Sequence, residues 1–217
     1  MARGANLFSG RAEDVIRVLL ANYPKEWDLR SLAKEVGGSP SWTSEIVNSL
    51  ITERLVLRPS RRARVRLASP FDLLRRWANA RNFTARTKFI EFYSSEDDVA
   101  RFLDGFKAGK QPEYALTALA GALKVAPHVR PTNVHAYVGS EEDAKKWAVL
   151  LKLMPIEENG NVKFAIAGDK GVFYGAREVD GVRVVSDVQL YVDLLNYPAR
   201  GEEAAQAVLK VIEKKWK

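Results

Sequence analysis

The segment Ser39-Pro-Ser-Trp-Thr-Ser-Glu-Ile-Val-Asn-Ser-Leu-Ile-Thr-Glu53 reads as a helix with a marked start. Ser39 offers a side-chain oxygen to the first free amides, and Pro40 has its φ preset for the first helical position. Thr43, Ile46, Val47 and Leu50 recur at i, i+3, i+4 and i+7, so one face is turned to a core. The upstream sequence supplies two helices to bury it against. Glu13 to Asn22 carries Val15, Ile16, Val18 and Leu19 and stops at Asn22-Tyr23-Pro24. Leu29 to Val36 has Asp28 as a cap and is closed by Gly37-Gly38. Downstream, residues 55–58 and 64–67 read as two short strands around a Pro59-Ser60-Arg61-Arg62 tip.

Three short helices, a glycine turn and a basic hairpin predict a winged helix-turn-helix. A helix of this size fits the major groove of B-form DNA. With the apolar stripe turned inward, Ser41, Trp42, Ser44, Glu45, Asn48 and Ser49 flank it or face outward. Ser39, Ser41, Trp42, Ser44 and Asn48 are the expected DNA contacts of this helix. Small polar residues let the backbone approach, and Asn48 suits an adenine edge. Glu45 repels nearby phosphate, so binding either tolerates it or uses it to accept from a cytosine amine. Trp42 is equally compatible with core packing and with the DNA side. Arg58, Arg61, Arg62, Arg64 and Arg66 fall within nine residues. Alternation puts Arg64 and Arg66 on one face and Val65 on the other. All five arginines are expected to meet phosphate or a narrow minor groove.

Charge is distributed accordingly. Residues 1–90 hold 17 Lys/Arg against 8 Asp/Glu, a net +9. Residues 91–217 hold 17 against 19, a net −2. A basic front half suggests a polyanion-binding module with something else attached. The chain has no cysteine, which excludes disulfides, thiol nucleophiles and Cys-based zinc sites. His128 and His135 are the only histidines, too few for a His-rich metal centre. No apolar run approaches the roughly 20 residues of a membrane helix. Residues 1–9 lack the apolar core of a secretory signal. A cytoplasmic setting and no membrane partner are expected.

Past residue 69 the pattern mixes helices and strands. Helices are expected at 71–80, 96–107, 113–124, 141–153, 187–196 and 201–215, and strands at 84–93 and 133–138. Hairpins are expected through Asn159-Gly160 and Asp180-Gly181. The fold class is therefore α+β with a mixed or antiparallel sheet. The expected organisation is a DNA-binding domain over 1–69, a connecting helix and strand over 70–93, and an α+β domain over 94–217.

Four stretches carry a resemblance. They are Ser69-Pro-Phe-Asp-Leu-Leu-Arg-Arg-Trp-Ala, Glu113-Tyr-Ala-Leu-Thr-Ala-Leu-Ala, Pro131-Thr-Asn-Val-His-Ala-Tyr-Val, and Ser186-Asp-Val-Gln-Leu-Tyr-Val-Asp-Leu-Leu-Asn-Tyr-Pro-Ala-Arg-Gly-Glu-Glu-Ala-Ala. Together, in this order over nearly the whole chain, they resemble the AbiEi family of transcriptional regulators, antitoxins of type IV toxin–antitoxin systems. The resemblance implies an N-terminal winged helix that binds promoter repeats and represses. It implies a C-terminal domain with the antitoxin role that aids multimer formation. It also implies a nucleotidyltransferase toxin as partner.

The back half itself offers little chemistry. A nucleotidyltransferase places Gly-Ser before a strand bearing paired carboxylates that hold Mg²⁺. Here Asn133-Val-His-Ala-Tyr-Val has no carboxylate, and Gly139-Ser140 follows the strand. A degenerate nucleotidyltransferase-like domain without catalytic activity is expected. Ser95-Glu-Asp-Asp and Ser140-Glu-Glu-Asp read as helix starts with serine caps, not metal sites. His128 reads as polar surface, and His135 as a satisfied sheet residue or a ligand contact. Gly168-Asp-Lys-Gly171 lacks the Gly-Lys-Ser/Thr of a phosphate loop. Asp193 and Arg200 flank the Asn196-Tyr-Pro break and are expected either to pair there or, with Tyr191, to form a partner or self-association surface. No cofactor or metal is expected. The favoured reading is a sequence-specific regulator of double-stranded DNA, a repressor. The alternatives are a less specific architectural, replication or repair protein, and an enzyme.

Overall fold

Two side-chain caps start the second and third helices of the computed structural model, which describes residues 7–108 and 112–217. The Asp28 carboxylate accepts from the Ser31 amide and starts α2 (Leu29–Glu35). The Ser39 hydroxyl accepts from the Trp42 amide and starts α3 (Pro40–Thr52), with Pro40 in its first turn. Each satisfies an amide that the helix itself leaves free. Gly37, at φ +62, ends α2 in the left-handed conformation that a side chain resists. The first helix, α1 (Ala12–Ala21), has Arg11 at its N-cap, with no side-chain cap bond.

The chain divides into two units, one running through Arg81 together with Trp216–Lys217, the other Asn82–Lys215. In the first, α1, α2 and α3 surround Val15, Ile16, Leu32, Ile46, Val47 and Leu50, all essentially inaccessible. Each such side chain contributes about 1.5–3 kcal/mol of burial. Strands β1 (Val56–Leu57) and β2 (Arg66–Leu67) pair antiparallel. Trp27 bridges Val65 on the same hairpin. Helix α4 (Pro70–Ala80) packs within this unit through Leu73, Leu74 and Trp77. The buried Glu13 carboxylate accepts from Trp77 Nε1 at 3.3 Å and from Arg81. The 70–93 connector thus divides, with α4 in the first unit and its remainder in the second.

The second unit holds α5 (Phe83–Arg86), β3 (Lys88–Tyr93), α6 (Val99–Asp104), β4 (Tyr114–Thr117), α7 (Ala118–Val125), β5 (Val134–Val138) and α8 (Glu141–Leu150). It continues with β6 (Met154–Pro155), β7 (Val162–Ile166), β8 (Arg177–Val179), β9 (Val182–Val184), α9 (Asp187–Leu195) and, up to Lys215, α10 (Gly201–Trp216). Seven strands form one mixed sheet in the order β6-β3-β7-β5-β4-β9-β8. β5 runs parallel to β7 and β4 parallel to β9, while the other pairs are antiparallel. The α+β class read from the sequence is therefore the observed one.

Several elements differ from the sequence reading. The expected helix 113–124 is strand β4 followed by α7. Tyr114 to Thr117 pair with β5, from Tyr114↔Val138 to Thr117↔His135. The expected strand 84–93 begins with the short helix α5, capped by the Asn82 carboxamide. Asp98, not Ser95, caps α6, accepting from the Ala100 and Arg101 amides. Asn159-Gly160 does not close a hairpin, because β6 and β7 pair with opposite edges of β3. Gly160 instead lies against β3, where a β-carbon would stand 2.5 Å from the Phe92 carbonyl oxygen. Asp180-Gly181 does close a hairpin, β8 to β9. Ser140 does cap α8, accepting from the Asp143 amide.

Candidate nucleic-acid interface

α3 has two faces that its sequence sets opposite one another. Thr43, Ile46, Val47 and Leu50 are buried. Ser41, Glu45, Asn48 and Thr52 are exposed and recur at i, i+4, i+7 and i+11. At 100° per residue these four fall within about 60° of the helix circumference, diametrically across from the buried four. Ser44 and Ser49 lie between the faces and are half-buried. The Ser49 hydroxyl donates to the Glu45 carbonyl at 3.0 Å, and the Thr52 hydroxyl to that of Asn48 at 3.1 Å. Among the described residues, the polar heads left free along the stripe are therefore those of Ser41, Glu45 and Asn48. The same wheel, applied to the polar residues, was available in the sequence.

The N-terminal end of α3 is braced from α1's side of the unit. Arg11 donates to the Gly37 carbonyl at 2.9 Å. Its guanidinium also lies 5.2 Å from the centre of the Trp42 ring. That ring covers Gly38, where an added β-carbon would stand 2.5 Å from Cε3. Trp42 is half-buried, and its ring lies against the turn before α3. Ser39 is exposed, but its hydroxyl is engaged by the cap. Nothing in the spacing pointed to Arg11, a single arginine before a helix.

In the hairpin, Arg61, Arg62, Arg64 and Arg66 are exposed, with Val65 buried between the last two. Arg58 differs. It is half-buried and donates from Nε to the Ala63 carbonyl at 3.3 Å and from a terminal nitrogen to the Arg61 carbonyl at 2.5 Å. It closes the loop at the tip, so its guanidinium is spent on the backbone.

The residues expected at a partner surface are placed otherwise. Tyr191 is buried, and Asp193 is wholly so. The Asp193 carboxylate accepts from Thr117 Oγ1 at 2.7 Å, Gln189 Nε2 at 2.8 Å and the Tyr137 hydroxyl at 3.2 Å. Arg200 is exposed and forks onto Glu203 at 2.6 and 2.8 Å. The expected Asp193–Arg200 pair is thus replaced by two separate arrangements. A buried carboxylate needs several donors at once, and the sheet with α9 supplies them, whereas an arginine three residues before a glutamate meets it across one helical turn.

His135 is also buried, with Phe89, Tyr197 and Phe83 rings 5.4–5.9 Å away. Its Nδ1 has no hydrogen-bond partner among the described residues, so it is not the satisfied sheet residue of the sequence reading. Burial, with Lys163 in register on β7, pushes its pKa from 6.5 down to about 4; Glu91 acts weakly in the other direction. His128 is exposed and lies 3.0 Å from Glu203. Among the described residues no group of three or more His, Asp or Glu is placed to hold a metal ion. No described helix is long and apolar enough to cross a membrane; the reading of the N-terminus as leaderless falls mainly on residues 1–6, outside those described.

No curated protein and no solved structure matches the chain. A family model described as transcriptional regulator, AbiEi antitoxin, type IV toxin–antitoxin system, matches residues 66–213. That stretch begins at β2 and takes in the whole seven-stranded sheet. Three of the four resembling segments lie entirely in the second unit, and the last runs through α9 and the start of α10. Over more than half its length the chain carries this family's pattern, and it belongs to the AbiEi family of transcriptional regulators, the antitoxins of type IV toxin–antitoxin systems.

Proposed function

We propose that the first unit is a winged helix-turn-helix, and that the chain is a sequence-specific regulator of double-stranded DNA that represses its target promoter. The observation that carries this is the exposed polar stripe of α3, set opposite its buried stripe, in one unit with a hairpin bearing four exposed arginines. α3 has 13 residues, about 20 Å of helix, enough to lie in the major groove. The hairpin arginines suit phosphate and minor-groove contacts. The net charge of +9 over residues 1–90 adds long-range attraction to DNA. Membership in a regulator family supports the same reading.

In this reading Ser41 and Asn48 face bases, while Ser39 and Trp42 shape the approach to α3. Arg61, Arg62, Arg64 and Arg66 hold the backbone. The second unit is an effector or partner domain, degenerate with respect to nucleotidyltransferases; its strand β5, Val-His-Ala-Tyr-Val, has no carboxylate. A nucleotidyltransferase toxin is its proposed partner, and several copies occupy one promoter. Two modules on one duplex raise each other's effective concentration.

A footprint of the full chain across the DNA upstream of its own coding sequence tests this. Protection of a discrete, repeated site is expected. Uniform protection along the fragment would favour an architectural protein, and none at all would refute DNA binding there.

A further inference from the structure

We infer that Glu45 is a specificity-determining residue of α3, its carboxylate accepting a hydrogen bond from a cytosine N4 amine in the major groove. This rests on reading α3 as the recognition helix. Glu45 is exposed near the middle of the polar stripe, between Ser41 and Asn48. Its carboxylate has no ion pair or hydrogen bond among the described residues. Three other acids of the same unit are engaged. Glu53 and Asp72 both pair with Arg76 at 3.1 Å, and Asp28 caps α2. On its own helix Glu45 has Ser41, Asn48 and Ser49 at i±4 and i+3, none of them cationic.

An unpaired carboxylate on the DNA-facing side of a strongly basic unit opposes binding unless a base rewards it. Major-groove chemistry leaves few choices. Guanine and thymine present acceptors there, which repel a carboxylate. Adenine offers N6 beside the N7 acceptor. Cytosine offers N4 without an acceptor of its own in the groove. Glu45 therefore selects a C·G pair and penalises the others. Asn48 lies three residues on, about 4.5 Å along the axis, and its carboxamide suits adenine N6 and N7. The site read by α3 thus holds a C·G and an A·T pair within one or two steps.

The test uses the full chain, as wild type, Glu45→Ala and Glu45→Gln. Affinity is measured on the footprinted duplex and on a random duplex, and preferred sites are selected from a randomised library. The Ala change is expected to weaken cognate binding about 10- to 100-fold, while random-DNA binding stays equal or tightens. The wild-type library should fix one C·G pair that Glu45→Ala releases and Glu45→Gln shifts towards A·T. Equal tightening on both duplexes would reduce Glu45 to plain repulsion and overturn the assignment. So would equal weakening on both, or a selected site unchanged in Glu45→Ala. A wild-type chain that prefers no sequence fails earlier, against the recognition-helix reading itself.

Discussion

The Trp42 ring covers Gly38 so closely that only a hydrogen fits between them, since a β-carbon would stand 2.5 Å from Cε3 and 2.6 Å from Cζ3. Ordinary contact would need about an ångström more room, so the ring has to shift as a whole. Gly38→Ala should therefore displace Trp42 and tilt the start of α3. A stability loss of about 1–3 kcal/mol is expected from this overpacking, read from denaturant midpoints, together with weaker DNA binding. A Gly38→Ala chain that melts and binds like wild type would show that the ring is free to move.

The hairpin arginines should separate by salt dependence. Replacing Arg61, Arg62 and Arg64 with Ala should flatten the slope of log K against log salt by about 3, if each meets one phosphate. Arg58→Ala should lower affinity through the loosened tip but leave that slope within about half a unit, because its guanidinium is already bound to the Ala63 and Arg61 carbonyls. A slope loss of about one for Arg58→Ala would place it on DNA.

Asp193 should matter to folding and Arg200 should not. Asp193→Ala removes the buried acceptor shared by Thr117, Tyr137 and Gln189 and should cost on the order of 3 kcal/mol. Arg200→Ala breaks an exposed pair with Glu203 and should stay within about 0.5 kcal/mol. The double variant should be additive to within about 0.5 kcal/mol. Coupling above about 1 kcal/mol would restore the direct pair that the sequence suggested.

His135 gives the second unit a pH dependence of definite sign. Its folded pKa lies near 4 against 6.5 unfolded. Between these values the unfolded chain binds the proton and the folded chain does not, so folding weakens as pH falls. The contribution is complete above pH 6.5 and is lost towards pH 4, on the order of 3 kcal/mol in all. His135→Phe should keep the aromatic packing and remove this part of the pH dependence, measured by chemical denaturation from pH 7 to 4.5. Parallel curves for the two chains would refute it.

The first unit was legible because its signals are local. Asp28 and Ser39 cap where they should, Gly37 stops α2, and the Thr43, Ile46, Val47, Leu50 stripe is buried. The second unit was not, wherever distant pairing decides. Tyr114-Ala-Leu-Thr runs straight into Ala118-Leu-Ala-Gly-Ala and reads with it as one helix, yet register with β5 makes it a strand and Ala118 takes a positive φ at the turn into α7. Asn159-Gly160 has a hairpin's composition, but the glycine is needed for close approach to Phe92 on a strand nearly 70 residues earlier. The Asp193 cluster draws on Thr117 and Tyr137, 76 and 56 residues away, which no spacing rule reveals. On α3 the buried face was readable but the exposed one only in part, since backbone bonds occupy Ser49 and Thr52.

Competition binding tests the central claim most directly: the full chain is titrated with its footprinted upstream duplex against a random duplex of equal length, at one fixed salt concentration. A sequence-specific regulator should prefer its own site by about 10³-fold or more. A ratio near one would contradict recognition by α3 and leave only charge-driven attachment to DNA.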